Sequence, residues 1–246
     1  MNIKNNNKGF SLIELSIVLI IIGLLVSGIT GGASLIKSAE LRSIMTEARG
    51  YKMAVNAYYT SQDELPGDDN NSDVGNSVEG DVNGKIEMGG GKLVAEGLEA
   101  WNDMADDSIS ILDRAMQTPV TPTATTIPAI ATTLMGDSKY KGAGWVFDYL
   151  TTPELGGTTT GGGNEAVINS NSLIFTSKTF LAGTEVEPGA VLTGLQISSI
   201  DKKMDDGAIL TGSVIGLNGY SAANTEVICT NTATTDLCSI AFKIDL

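Results

Sequence analysis

The sequence predicts an α+β protein in which a long N-terminal helix, membrane-spanning in its first half, packs on an antiparallel β-sheet domain. Three observations support this fold class. The chain is almost wholly apolar from Phe10 to Ile29, an amphipathic pattern then continues without a proline as far as Pro66, and the C-terminal half contains short apolar runs bounded by glycine and proline. These patterns are typical of a membrane helix, a helix with one packed face, and strands, respectively.

Residues 10–32 are predicted to form a transmembrane helix. About 20 apolar residues, each rising about 1.5 Å, span about 30 Å, the thickness of the hydrocarbon core of a bilayer. Lys4 and Lys8 precede this segment and no acidic residue comes before Glu14, which predicts a cytoplasmic N-terminus. A secretory signal peptide is the alternative, but its apolar region is usually shorter and ends in a small-residue cleavage site. Here the small residue, Gly9, comes before the apolar run.

A short motif at the start of this segment combines a basic residue, a glycine, an aromatic residue and an acid at fixed offsets. The residues Lys8-Gly9-Phe10-Ser11-Leu12-Ile13-Glu14 resemble the class III signal of type IV prepilins and type II secretion pseudopilins. The resemblance implies that a prepilin peptidase cuts after Gly9 and methylates the new N-terminal Phe10, so that residues 1–9 are a leader peptide. It also implies the pilin fold, assembly into a helical filament through the N-terminal helix, and an inner-membrane assembly platform as a partner.

Glu14 is the single charge within the apolar segment. An acid in the middle of a membrane helix costs about 2.5–3.5 kcal/mol on insertion scales, so such residues usually face a partner. Glu14 lies about one helical turn from the amine that cleavage would create on Phe10. In the family this glutamate is thought to pair with the N-terminal amine of the neighbouring subunit, which implies an assembly role for both residues. A chance acid tolerated near the bilayer edge is the alternative.

The composition argues against several classes of function. The 246 residues carry a formal net charge of −14, whereas a nucleic-acid surface needs clustered lysine and arginine. Histidine is absent, so most hydrolase triads and zinc sites are not expected. The sequence also has no phosphate-cradling loop and no nucleophile-elbow pattern. The chain is therefore predicted not to be an enzyme and not to bind nucleic acid.

The rest of the chain predicts an amphipathic helix at residues 33–62 and an extracytoplasmic globular domain at residues 63–246. A second helical pattern covers residues 92–116, with Trp101 as a core anchor. Residues 191–204 suggest a short helix, and Asp205 and Asp206 before Gly207 are predicted to form a turn rather than an acid/base pair. Strands are predicted at residues 144–150, 166–168, 172–179 and 209–217. The packed stripe of the amphipathic helix consists of Leu41, Ile44, Ala48, Tyr51, Val55 and Tyr58.

An acidic, glycine-rich loop follows the predicted helix end at Pro66 and Gly67. A calcium ion takes about 6–8 oxygen ligands, and the loop offers enough of them for a calcium site. The candidate ligands are Asp68, Asp69, Asp73, Asp81, Asn83 and Glu87. The full spacing of a calcium-loop motif is missing, so a solvated, turn-rich loop is the alternative. No other cofactor is predicted.

Cys229 and Cys238 bracket a short polar loop. Disulfides persist outside the cytoplasm, and pilins often carry a disulfide loop near the C-terminus, so the resemblance implies a bond between these two cysteines. Two free, buried thiols are the alternative.

Together these features favour a structural subunit of a type IV pilus. The chain would be held in the inner membrane with its globular domain in the periplasm, and would later form part of the pilus. A pseudopilin of a type II secretion system is one alternative. A membrane-anchored extracytoplasmic module that binds calcium or another ligand is an alternative of a different class, and it would keep an uncut N-terminus and form no filament.

Overall fold

The structure, a computed structural model of the chain, contains both the apolar N-terminal helix and the antiparallel sheet domain, which confirms the α+β prediction. The chain divides into two compact units, Met1–Leu41 and Arg42–Leu246. The structure describes residues 9–69, 80–87, 96–105, 136–150, 169–177, 181–182, 186–187, 189–220, 226–227, 229–230, 232 and 234–245.

The first helix, α1, spans Leu12–Gln62. It ends close to the predicted position, because Asp63 adopts a positive φ of 62° and Pro66, which has no backbone N–H to continue the helix, follows. Gly67 then turns the chain with a φ of 83°. A Cβ atom at Gly67 would lie 2.1 Å from the carbonyl oxygen of Glu96, so only glycine fits where the acidic loop passes the next helix.

The second unit is built on one main sheet in which every described pair of strands is antiparallel. The elements after α1 are α2 (Glu96–Ala105), β1 (Gly136–Asp137), β2 (Ala143–Leu150), β3 (Ser170–Ser177), β4 (Leu181–Ala182), β5 (Val186–Glu187), β6 (Leu192–Thr193), α3 (Gly194–Met204), β7 (Val214–Tyr220), β8 (Glu226–Val227) and β9 (Asp236–Lys243). The main sheet has the order β1–β2–β3–β9–β7–β8, and β6 also pairs with β9. β4 and β5 form a separate pair.

Most of the predicted elements of this unit are confirmed where the structure describes them. β2 and β3 match the strands predicted at residues 144–150 and 172–179 closely. α2 lies inside the helix predicted at residues 92–116, whose remaining residues fall outside the described part of the chain, as does the strand predicted at 166–168. α3 lies inside the region predicted as a short helix, and a capping box of Thr193 and Gln196 fixes its start.

The strand predicted at residues 209–217 is wrong at its beginning. β7 starts only at Val214, because the preceding residues form a loop around the side chain of Asp205. The carboxylate of Asp205 accepts hydrogen bonds from the backbone N–H groups of Ser213 and Val214, and Gly212 has a φ of 81°. Ile209 is nevertheless buried, so its apolar character reflects a packed loop residue and not a strand.

The core of the second unit forms where α1 and α2 meet one face of the sheet. Trp145 and Phe175 are paired in register on β2 and β3, so their side chains share that face. The ring of Tyr51 on α1 packs edge-on against Trp101 of α2 at 4.9 Å and Trp145 at 5.8 Å. Trp101 is 1% exposed, which confirms its predicted role as a core anchor. The predicted stripe of α1 is buried at Ile44, Ala48, Val55 and Tyr58.

The carboxylate of Glu47 links α1 to the first strands of the sheet through hydrogen bonds. Glu47 accepts hydrogen bonds from the indole N–H of Trp145 at 2.9 Å, from the hydroxyl of Ser138 at 2.7 Å and from the backbone N–H of Lys139 at 3.0 Å. Hydrogen bonds to a charged acceptor are stronger than neutral ones. Glu47 therefore fixes the register of α1 against the β1–β2 connection and satisfies the one polar side-chain atom of the buried Trp145.

Candidate functional site

The first part of α1 presents an apolar surface that the described chain does not cover. Phe10 is 90% exposed, and large apolar side chains stay at least half exposed from there to Ile36. The helix contains an 18-residue window with a mean hydropathy of 2.7, none of which is buried. By length and composition alone, it is thus able to cross a membrane. A surface this apolar needs lipid or other protein around it, because its exposure to water is unfavourable.

Gly9 lies three residues before α1 begins at Leu12, and nothing in the described chain requires a glycine there. A Cβ atom at Gly9 would meet no atom within 4 Å, so close packing does not select this residue. Gly9 and Phe10 are both exposed. The predicted cleavage point is therefore accessible, and a requirement for glycine would come from another molecule, such as a peptidase that approaches the backbone.

Glu14 lies in the first turn of α1. Its Oε2 atom accepts a hydrogen bond from the backbone N–H of Ser11 at 2.8 Å. Because Ser11 immediately precedes the helix, this bond satisfies one of the donors that a helix N-terminus leaves without an intrahelical partner. A negative charge is also favourable at this end of the helix dipole. The Glu14 side chain is exposed, so it can meet a group on another molecule as well.

Comparison with known proteins decides what this N-terminal segment is. A family model described as the prokaryotic N-terminal methylation motif matches residues 4–30, which include residues 8–14 of the motif and the whole apolar run from Phe10 to Ile29. The chain carries the class III signal of type IV pilins and pseudopilins. No curated protein and no solved structure matches the chain.

This prepilin signal has general consequences for the chain. It implies processing by a peptidase, assembly into filaments and anchoring in a membrane. It is the signal of structural subunits, which agrees with the prediction that the chain is not an enzyme. The roles of Gly9, Phe10 and Glu14 within this signal remain predictions at the level of single residues.

The two cysteines also occupy the predicted arrangement. Cys229 and Cys238 form a disulfide, so the alternative of two free thiols is not what the structure shows. Cys238 lies on β9, opposite Asn218 of β7 and Leu192 of β6. Cys229 donates its backbone N–H to the side-chain oxygen of Asn218 at 2.9 Å. The disulfide therefore links the segment before β9 to β9 itself, at the centre of the sheet.

The structure brings together two of the six predicted calcium ligands. Asp68 and Asp81 each offer a carboxylate oxygen to one group, in which the third member is Glu96, and these atoms lie within 4.8 Å of one another. Glu96 is not among the residues predicted from sequence, because it belongs to the first turn of α2 and not to the acidic loop.

The other predicted ligands have different partners or lie elsewhere. Asp69 accepts a hydrogen bond from the hydroxyl of Tyr58. The side-chain amide of Asn83 donates to Glu87 at 3.4 Å, and Asp73 falls outside the described residues. The calcium site in this loop therefore stays a prediction, with a smaller set of candidate ligands.

Burial dominates the electrostatics of this acidic group. Glu96 is 1% exposed, and its burial raises its pKa from 4.5 to about 7, with the charges of Asp68 and Asp81 adding to the rise. The backbone N–H of Glu87 donates a hydrogen bond to Glu96 at 2.8 Å, and this bond lowers the pKa of Glu96. Burial also raises the pKa of Asp68, although the backbone N–H groups of Gly84 and Asn83 lower it. In the absence of a cation, the ionised form of Glu96 is thus destabilised.

The substitution Glu96→Gln is expected to stabilise the cation-free protein above pH 7. Because the folded-state pKa of Glu96 lies above its unfolded value, its favourable contribution is complete below about pH 4.5 and is lost as the pH rises through about 7. Glutamine keeps an acceptor for the N–H of Glu87 and carries no charge. We expect a gain in unfolding free energy of about 3 kcal/mol at pH 8 and little change at pH 4.5.

Denaturant unfolding of the full-length protein in detergent micelles with EDTA measures this effect. Glu99→Gln is the control, since Glu99 lies on the same helix but is only partly buried. Equal pH profiles for Glu96→Gln and the unsubstituted protein would show that Glu96 does not titrate as its burial requires.

Proposed function

We propose that this chain is the structural subunit of a type IV pilus, cut by a prepilin peptidase after Gly9 and assembled into a helical filament through α1. The observation that carries the proposal is the methylation motif at residues 4–30 on a helix whose apolar surface is exposed. Before assembly, the subunit is held in the inner membrane as a single-pass protein with its globular domain in the periplasm. An inner-membrane assembly platform then transfers it to the filament.

The proposed assembly step depends on two charges that are costly in lipid. Cleavage after Gly9 would leave a charged amine on Phe10, about 6 Å along the helix axis from Glu14. The amine of an incoming subunit would pair with Glu14 of a subunit already in the filament, and each charge would offset the desolvation of the other. The exposed apolar side chains around them would then be covered by neighbouring helices in place of lipid.

A pseudopilin of a type II secretion system is the nearest alternative, because the motif is common to both groups of proteins. The size of the second unit, Arg42–Leu246, and its disulfide loop favour a pilin or minor pilin. A membrane-anchored calcium- or ligand-binding module is the alternative from another class. It predicts that the N-terminus stays uncut and that the protein is not recovered in filaments.

The substitution Gly9→Leu is expected to block both cleavage and filament formation. A leucine side chain at the cut would hinder the approach of the peptidase to the backbone, and the uncut chain would have no free amine at Phe10. The measurement compares the subunit's size on a denaturing gel and its amount in the fraction sheared from intact cells. Gly23→Leu is the control for cleavage, because Gly23 is also exposed and a Cβ atom there would meet no atom within 4 Å.

The proposal predicts a shortened, shearable protein for the parent and a full-length, cell-bound protein for Gly9→Leu. Cleavage of Gly23→Leu should be normal. An uncut parent protein that stays with the cells would instead support the membrane-anchored module.

A further inference from the structure

A second acidic group lies at the C-terminal end of α3, remote in sequence from the predicted calcium ligands. Asp201, Asp205 and Asp206 each offer one carboxylate oxygen, and these oxygens lie within 4.8 Å of one another. Asp201 belongs to the last turn of α3, Asp205 caps the helix, and Asp206 begins the loop that leads to β7. Asp206 is exposed whereas Asp201 is buried, so the group is open to solvent on one side only.

Asp201 is the unusual member of this group. Its side chain is 0% exposed, and neither carboxylate oxygen accepts a hydrogen bond from any residue that the structure describes. A buried polar group without a partner costs free energy, and a buried charge without one costs more. Burial, with the charges of Asp206 and Asp205, raises the pKa of Asp201 to about 6, although the nearby backbone N–H of Gly207 offsets part of the rise. Within the described part of the chain, the Asp201 carboxylate therefore lacks the hydrogen-bond partner that its burial requires.

The neighbouring carboxylates are held in place by the loop. Asp205 uses Oδ2 to accept from the backbone N–H groups of Ser213 and Val214. Asp206 accepts from the backbone N–H of Ala208 at 2.7 Å and from the hydroxyl of Thr211 at 2.8 Å. These bonds confirm the predicted turn, but they also prevent the two carboxylates from moving apart to relieve their repulsion.

No cation of the described chain forms an ion pair with this group. Among the described residues, none of the three carboxylates takes part in an ion pair. Lys202 and Lys203 lie in the last turn of α3, and neither side chain is buried. The charge of Lys202 lowers the pKa of Asp201, but this effect is smaller than those of burial and of the charges of Asp206 and Asp205, which raise it. The C-terminal end of a helix, with its partial negative charge, adds to the negative potential.

We propose that Asp201, Asp205 and Asp206 bind a calcium ion, with Asp201 as the buried ligand at the base of the site. Calcium prefers carboxylate oxygens at about 2.3–2.6 Å, so two of its ligands lie at most about 4.6–5.2 Å apart. The carboxylate oxygens of the group lie within 4.8 Å of one another, which is below the upper end of this range. Water would supply the remaining ligands on the open side at Asp206. Bound calcium gives Asp201 its missing partner and fastens the loop before β7 to α3.

The proposal is independent of filament assembly and is tested on the full-length protein in detergent micelles. The probe is calcium chloride added to protein stripped with EGTA, followed by isothermal titration calorimetry and thermal unfolding. Asp201→Asn is the test variant, because asparagine has nearly the same shape and removes a buried charge, so it should fold at least as well without calcium. Glu96→Gln removes a carboxylate from the other acidic group, so the comparison is repeated in this background to separate any calcium bound there.

The parent protein is expected to bind calcium and to unfold at a temperature several degrees higher with calcium than with EGTA. Asp201→Asn should lose this increase and bind calcium at least about tenfold more weakly, since affinity follows the number of charged ligands. In the Glu96→Gln background, Asp201→Asn should cause the same loss. Three results would overturn the proposal: no calcium-dependent increase in the parent, an unchanged increase in Asp201→Asn, or an equal increase with the same concentration of magnesium.

Discussion

Replacing Glu14 with leucine is expected to abolish incorporation into filaments while leaving membrane insertion intact. A charge costs about 2.5–3.5 kcal/mol at the centre of a membrane helix and less near its start, where Glu14 lies, so its removal should make insertion easier. The bond from the Ser11 N–H to Glu14 is also lost, but one hydrogen bond at a helix terminus contributes only about 1 kcal/mol. The amine of an incoming subunit, however, would find no carboxylate to pair with.

The measurement is the amount of subunit in the sheared filament fraction, with the amount in the membrane fraction as the reference. Glu40→Leu is the matched control, because Glu40 is an exposed glutamate of the same helix outside the motif at residues 4–30. We expect filaments from Glu40→Leu and none from Glu14→Leu. A normal yield of filaments from Glu14→Leu would show that Glu14 has no role in assembly.

Removing the disulfide with Cys229→Ala and Cys238→Ala together is expected to destabilise the globular unit by about 2–3 kcal/mol. The bond closes a short loop, with 9 residues of separation between the cysteines, so the unfolded chain gains freedom when it is absent. The effect matters for the fold because Cys238 lies on the central strand β9. Both cysteines are buried, so the alanine variants avoid placing a hydroxyl in the core.

Urea unfolding of the full-length protein in micelles compares the double variant with the parent, with and without a reducing agent. The reduced parent should unfold at nearly the same urea concentration as the double variant. If the oxidised parent and the double variant unfold together, the disulfide makes no contribution to stability.

The parts of the fold that are predicted correctly depend on local patterns. α1 is predicted to its end because its apolar run, its stripe of packed residues and the stop at Pro66 are all visible within a few turns of helix. β2 and β3 are short apolar runs with clear boundaries. The prepilin signal is visible because its residues are adjacent in sequence.

The parts that sequence patterns miss depend on contacts between distant residues. β9, the strand to which β3, β6 and β7 all pair, is not predicted, because the run Ser239–Phe242 is too short to indicate a strand alone. The start of β7 is misplaced because the side chain of Asp205 holds the backbone N–H groups that a strand at this point would use.

The two acidic groups illustrate the same limit for functional residues. Glu96 joins Asp68 and Asp81 only because Gly67 lets the acidic loop pass directly against α2. Asp205 and Asp206 are correctly predicted to form a turn, but no sequence pattern indicates that Asp201 is buried without a partner. Periodicity places Asp201 on a helix and does not show which groups surround it.

The most direct test of the central claim is the mass of the intact protein isolated from its native membrane or filaments. We predict a chain that begins at Phe10 and carries one added methyl group on its N-terminal amine. A mature protein that still begins at Met1, or one that begins at Phe10 without the methyl group, would contradict this claim.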